Sequence, residues 1–146
     1  MEDQEKIVRI TRSLRELNQS YYQATRKDAE SCGVTPIQHL ALRLLKQYPM
    51  IGLGELSDLM YTGASTASGV VDRLVRAGLI VRDRLKEDRR AVVLKLSAEG
   101  EELLARTSER ILRRLSPLLE LSEEDVGHLL RVHGKIIDIL QKARGD

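Results

Sequence analysis

The sequence predicts a mainly α-helical fold carrying one small β-hairpin, and three observations support it. Apolar residues recur three and four apart over most of the 146 residues, the spacing of helices that bury one face. One region breaks that rhythm. Leu79-Ile80-Val81-Arg82-Asp83-Arg84-Leu85 and Ala91-Val92-Val93-Leu94-Lys95-Leu96 are β-branched and of strand length, with the charged tip Lys86-Glu87-Asp88-Arg89-Arg90 between them. Pro36, Pro49 and Pro117 punctuate the helical stretches at the places where helices should start or stop.

Residues 4–30 read as a long helix in which Ile7, Ile10, Leu14, Leu17 and Tyr21 repeat at 3-4-3-4 spacing, with Arg9, Arg12, Arg15 and Glu16 among the polar positions. So narrow and long a stripe wants another helix, from this chain or a partner. Ser31-Cys32-Gly33-Val34 breaks it. Thr35 then caps a second helix, Pro36 suits its first position and Gln38 completes a capping box. That helix runs through Leu40, Ala41, Leu44 and Leu45 to about Gln47, where Tyr48-Pro49 stops it. A third, short helix covers about 54–60, with Leu56, Leu59 and Met60 inward, and Tyr61-Thr62-Gly63 makes a turn.

The next helix, expected over 64–78, sets Ala67, Val70, Val71, Leu74, Ala77 and Gly78 on one face. Its other face carries Ser65, Thr66, Ser68, Gly69, Asp72, Arg73 and Arg76. Small residues let a helix sit deep in a groove, hydroxyls bond to phosphates or base edges, and arginines add charge and forked donors. After the hairpin, Ser97 caps a helix over Ala98–Leu115 and Pro117 interrupts it. Ser122-Glu123-Glu124-Asp125 opens a last helix with a capping box, and its stripe is Val126, Leu129, Leu130, His133, Ile136, Ile137 and Leu140.

Short helices, a glycine-containing turn, a helix with a polar outer face and a basic hairpin together make a winged helix-turn-helix. The expected organisation is therefore a winged helix-turn-helix core at 35–97, flanked by an N-terminal helix (1–34) and C-terminal helices (98–146) that serve dimerisation, all in one compact unit. Ile7, Ile10, Leu14 and Leu17 on one side, and Leu129, Ile136, Ile137 and Leu140 on the other, are the expected dimer contacts. The two seams can meet within one chain, but two broad stripes favour a homodimer. A two-fold dimer presents its recognition helices to major-groove faces about 34 Å apart.

No apolar run reaches membrane-spanning length and MEDQEKIVRI lacks a signal peptide's apolar region, so a cytoplasmic protein without membrane association is expected. Cys32 is the only cysteine, which excludes an intrachain disulfide. The net charge of +2 is unevenly spread. Residues 62–95 set Arg73, Arg76, Arg82, Arg84, Lys86, Arg89, Arg90 and Lys95 against Asp72, Asp83, Glu87 and Asp88, whereas 1–61 are balanced and 96–146 are net acidic. That asymmetry suits a polyanion-binding face. Phe and Trp are absent and the tyrosines are Tyr21, Tyr22, Tyr48 and Tyr61, so base-stacking platforms lack material and double-stranded DNA is favoured over RNA.

The residues expected on DNA are Ser65, Thr66, Ser68, Gly69, Arg73 and Arg76 on the recognition helix, and Lys86, Asp88, Arg89 and Arg90 on the wing. The plainer alternatives are an ordinary turn and cap for the first group and a solvated turn for the second. Gly63 and Gly69 belong to no phosphate-binding loop, since no Lys-Ser/Thr follows them. Cys32 reads as an inert thiol: Glu30, Ser31, Gly33 and Val34 supply no cation, and Arg26 and Lys27 lie more than a turn away. His39, His128 and His133 lack metal-ligand spacing and read as structural, so no metal and no cofactor is expected. No motif assembles a nucleophile, a base and an orienting group, so the chain is not expected to be an enzyme.

The sequence resembles the MarR family of bacterial transcriptional regulators over nearly its whole length. The most specific part is Ser65-Thr66-x-x-x-Val70-Val71-Asp72-Arg73-Leu74-x-x-x-Gly78-Leu79-x-x-Arg82, followed by Glu87-Asp88-Arg89-Arg90-Ala91 and Leu96-Ser97-x-x-Gly100; Thr35-Pro36-x-Gln38 and the short helix over 53–60 also match. The resemblance implies a triangular homodimer that binds palindromic promoter DNA, usually as a repressor, and release by small, often phenolic effectors or by cysteine oxidation. It places Ser65, Thr66, Ser68, Gly69 and Arg73 in the major groove. It also implies that Asp88 orients Arg90, with Arg89 between them, as the wing enters the minor groove. The alternatives to such a regulator are a low-specificity DNA-binding accessory protein and a winged-helix protein-interaction module.

Overall fold

The computed structural model describes residues 1–88 and 90–145. Its elements are α1 (Glu2–Ser31), α2 (Pro36–Gln47), α3 (Leu53–Leu59), α4 (Ala64–Arg76), β1 (Ile80–Arg84), β2 (Val92–Leu96), α5 (Ala98–Leu115), a 3-10 turn (Ser116–Glu120) and α6 (Glu123–Arg144). This is the mainly α fold with a hairpin wing that the sequence implies. Residues 1–114 form one compact unit, and the chain from Leu115 onward forms another.

In the first unit α2 is the central element. Its start is fixed locally: Gln38 N–H donates to Thr35 Oγ1 at 3.3 Å while Thr35 N–H donates to Gln38 Oε1 at 3.0 Å, with Pro36 inside the cap. Such a cap is worth about 1 kcal/mol. Ala41, Leu42 and Leu45 turn inward, and α2 packs on α1, α3, α4 and β2. With Leu56, Val71, Leu74, Ile80 and Leu94 they form the core.

The hairpin is antiparallel, with Ile80 opposite Leu96, Arg82 opposite Leu94 and Arg84 opposite Val92. Ile51 extends it by a single bridge in which Leu94 N–H donates to Ile51 O at 2.7 Å. One extended residue between Pro49 and α3 has no periodicity, so the sequence offers no sign of it.

Three sequence-based boundaries need correction. α4 ends at Arg76 rather than at 78, because Gly78 is left-handed (φ 74°) and Leu79 N–H turns back to Leu74 O at 2.9 Å. Ala77 and Gly78 are exposed, so neither belongs to the buried face of α4. α3 runs one residue earlier than expected, with Met60 as its buried C-cap. At Ser122 only half of the capping box forms: Ser122 Oγ accepts Asp125 N–H at 3.0 Å, and no reciprocal bond is present among the described residues. Aspartate at that position is one carbon shorter than the glutamate or glutamine that usually reaches back.

Ser97 joins the hairpin to α5. Its hydroxyl donates to Gly78 O and accepts Gly100 N–H at 3.0 Å. Gly100 is buried against the Leu79 main chain, and Leu104, Thr107 and Ile111 continue that inner face. At the end of α1, Asp28 is buried and takes Arg114 Nε at 2.9 Å and Arg110 Nε at 3.8 Å, both from α5. The Arg114 hydrogen bond holds the Asp28 carboxyl below its ordinary range, against the burial that would raise it. In the second unit, Pro117 opens the 3-10 turn and no described residue of α6 is buried.

Candidate nucleic-acid interface

α4 is amphipathic in the expected sense. Ala67, Val70, Val71 and Leu74 are buried, while Ser65, Thr66, Gly69, Arg73 and Arg76 are exposed and Ser68 is half-buried. Its N-cap is Gly63, which has no capping side chain, so the first N–H groups of the helix are left for an external acceptor. A Cβ at Gly69 would meet nothing within 4 Å, so this glycine keeps the face low rather than relieving a clash.

The charges around α4 are sorted. Asp72 holds Arg82 across the α4–β1 junction, and Asp83 holds Lys95 at 3.0 Å across the hairpin. The Lys95 hydrogen bond, then that from Arg84 N–H, holds the Asp83 carboxyl below its ordinary value. Among the described residues Arg73, Arg76, Lys86 and Arg90 form no ion pair. Two of these unpaired cations stand on α4, where no unpaired carboxylate accompanies them, and two stand at the wing tip beside Glu87 and Asp88, which form no ion pair among the described residues either.

At that tip Asp88 Oδ1 accepts the backbone N–H of Arg90 at 3.0 Å, and Asp88 O accepts Ala91 N–H at 3.1 Å. Asp88 therefore shapes the turn through the main chain; no bond from it to the Arg90 guanidinium is formed. Arg89 lies outside the described residues.

The structure brings together two groupings that spacing alone does not disclose. Between α1, α2 and α5 lies a cavity of about 280 Å³ whose lining includes Tyr21, Tyr22, Ile37, Leu40, Arg43 and Ile111. Adjacent tyrosines on a stripe otherwise aliphatic were its one trace in the sequence. His39 also lines it and is buried, with Nε2 3.4 Å from Ser108 Oγ. Burial, helped by the Arg43 charge, pushes His39 down to about 4. It stays neutral in the folded chain and becomes charged near its ordinary value once unfolded. Its contribution to stability is then complete above about pH 6.5 and is lost as pH falls toward 4, up to roughly 3 kcal/mol. Urea titrations at pH 7.5 and 5 should show a midpoint loss that is smaller in His39→Gln; equal losses in both proteins would remove His39 as the cause.

The second grouping gathers residues distant in sequence. A cleft of about 350 Å³ is lined by Ser31 and Cys32 together with Arg106, Glu109, Arg110 and Arg113 of α5, so charges of both signs share the cleft with Cys32. Among the described residues no group of three or more His, Cys, Asp or Glu is placed to hold a metal ion, and no helix is long and apolar enough to cross a membrane.

Ile7, Ile10 and Leu17 of α1 lie on the surface, with Leu14 half-buried. In α6 Leu129, Ile137 and Leu140 are exposed and Ile136 is half-buried; Leu130, Val132 and Ile139 add to that surface.

A helix-turn-helix whose second helix shows unpaired cations to solvent, followed by a basic hairpin, is the build of a winged helix DNA-binding transcriptional regulator. A family model described as the MarR family matches residues 34–92. The HTH-type transcriptional repressor MdtR of Bacillus subtilis (strain 168) is 32% identical over 124 residues, spanning 82% of this chain and 80% of that relative. The uncharacterized HTH-type transcriptional regulator YsmB of the same organism is 29% identical over 137 residues, spanning 94% and 92%. A mutant MarR from E. coli, solved in complex with operator DNA, shares the fold with a TM-score of 0.79 at 20% identity, over 90% of this chain and 95% of that one. The chain belongs to the MarR family.

Proposed function

We propose that the chain is a homodimeric, ligand-responsive repressor that binds a pseudo-palindromic operator in double-stranded DNA. The observation that carries this reading is the sorting of charge: Asp72 and Asp83 are neutralised by Arg82 and Lys95, while Arg73, Arg76, Lys86 and Arg90 form no ion pair among the described residues. A cation that neutralises a phosphate releases a counterion condensed on the DNA, and a cation already paired with a carboxylate of its own chain must first give up that pair, so unpaired cations yield the larger gain on DNA. In this reading Ser65, Thr66, Ser68 and Gly69 face the major groove, with Arg73 and Arg76 on base edges or phosphates. Lys86 and Arg90, with Asp88 setting the turn, belong to the minor groove, whose narrow form attracts arginine.

The apolar residues exposed along α1, and separately those along α6, support a homodimer, since an exposed apolar stripe of this kind marks an interface. The cavity beside Tyr21 and Arg43 supports an effector, and its place between α1, α2 and the long α5 supports the mechanism. A ligand there favours a conformation in which the two recognition helices no longer match one DNA turn, and the second half-site is lost.

A mobility-shift titration against the protein's own upstream region tests this. Arg73→Ala and Arg90→Ala should each weaken binding by about 5- to 100-fold and lower the salt slope by about 1. Wild-type affinity in both variants removes these site assignments, and equal affinity for all duplexes points to a low-specificity accessory protein.

A further inference from the structure

Tyr61 occupies a conformation that its side chain opposes. It sits in the turn between α3 and α4 with φ 52°, a left-handed backbone that costs a residue with a Cβ about 1–2 kcal/mol and that glycine or asparagine normally takes. The turn contains a glycine two residues on, but Gly63 has φ −69°, which any residue adopts. The chain has its tyrosine where glycine would relieve strain and its glycine where none is needed.

The strain is held from both sides. Tyr61 N–H donates to Asp58 O at 3.1 Å, and Thr62 N–H donates to Ser57 O at 3.3 Å. The hydroxyl of the buried Ser57 donates to Thr62 O at 2.9 Å. These bonds belong to the main chain and to Ser57; the Tyr61 side chain itself buries little surface, since Tyr61 is 82% exposed, whereas Tyr21, Tyr22 and Tyr48 are near half that. A strained residue that buries little surface at home is suited to a contact made elsewhere. Its place is three residues before Ala64, where α4 starts with uncapped N–H groups.

We infer that Tyr61 is a DNA-backbone anchor: its phenol donates a hydrogen bond to a phosphodiester oxygen beside the major groove and its ring packs on the adjoining deoxyribose. The inference rests on the operator-binding reading above. Tyr61 positions the recognition helix and reads no base. A neutral donor releases no counterion, so its loss lowers affinity and leaves the salt slope intact, unlike the loss of an arginine.

The test uses the full-length protein and the tightest duplex that the wild type selects from a random-sequence pool, read by fluorescence anisotropy at several salt concentrations. Tyr61→Phe should weaken binding by about 3- to 10-fold, equally for that duplex and for its single-base variants, with an unchanged salt slope. Tyr61→Gly should bind more weakly still while its thermal midpoint is no lower than that of the wild type. Wild-type affinity in Tyr61→Phe, a loss that varies with sequence, or a lowered midpoint in Tyr61→Gly each overturns the anchor. In those cases the loss in Arg73→Ala leaves the operator reading standing. A wild type that selects no duplex overturns the operator reading itself, and the anchor with it.

Discussion

Gly100→Ala is expected to destabilise the winged unit by roughly 2 kcal/mol or more, since at no other glycine would an added Cβ meet so close a contact. A Cβ at Gly100 would stand 2.0 Å from Leu79 O and 3.0 Å from Leu79 C, both main-chain atoms. Leu79 O is already committed to Ser97 N–H at 3.1 Å, so it cannot withdraw without breaking the link between β1 and α5. Alanine's better helix propensity returns only about 1 kcal/mol. A urea or thermal titration checks this, and an unchanged midpoint would mean that α5 slides freely along Leu79. Because Leu79 leads directly into β1, the wing should also shift, so DNA affinity should fall along with stability.

Charging the seams should have the largest effect on function. Ile10→Asp in α1 and Ile137→Asp in α6 each place a carboxylate on a stripe that the homodimer proposal buries. Burying one isoleucine stabilises by about 1.5–3 kcal/mol, and a charge in its place forfeits that and adds a desolvation cost. Sedimentation at micromolar concentration should show the wild type as a dimer and the variants shifted toward monomer. Operator affinity should fall by about 100-fold or more, since joining two half-site contacts in one molecule raises avidity by that order. A monomeric wild type, or dimeric variants with full affinity, would remove the two-fold arrangement from the proposed function.

How far the sequence was legible follows from the range over which each feature is determined. The Thr35–Gln38 capping box, the start of α5 at Ala98 and the inward residues Val70, Val71 and Leu74 depend on neighbours within a turn or two, and all were read in place. Ala77 and Gly78 were misplaced because helical spacing continues past the point where a left-handed glycine ends the helix. The Ile51 bridge, the cavity beside Tyr21 and the arginines near Cys32 are assembled from residues far apart in the chain. No local pattern announces such encounters. The charge surplus was legible as a sum, but its division into paired and unpaired cations required the side chains of Asp72 and Asp83 to be placed.

The attachment of α1 has a mechanical meaning. The helix has 30 residues, so it is about 45 Å long, and its buried residues are Thr25, Asp28 and Ala29 alone. Asp28, gripped by Arg110 and Arg114, is its fulcrum, and the cavity lined by Asn18, Tyr21, Tyr22 and Thr25 lies just along the arm. A tilt of about 5° at that pivot carries the far end through roughly 3 Å. Under the proposed function, an occupant of the cavity that moved its walls by a fraction of an ångström would act on the short side of a lever, and the displacement would reach Ile7 and Ile10 magnified.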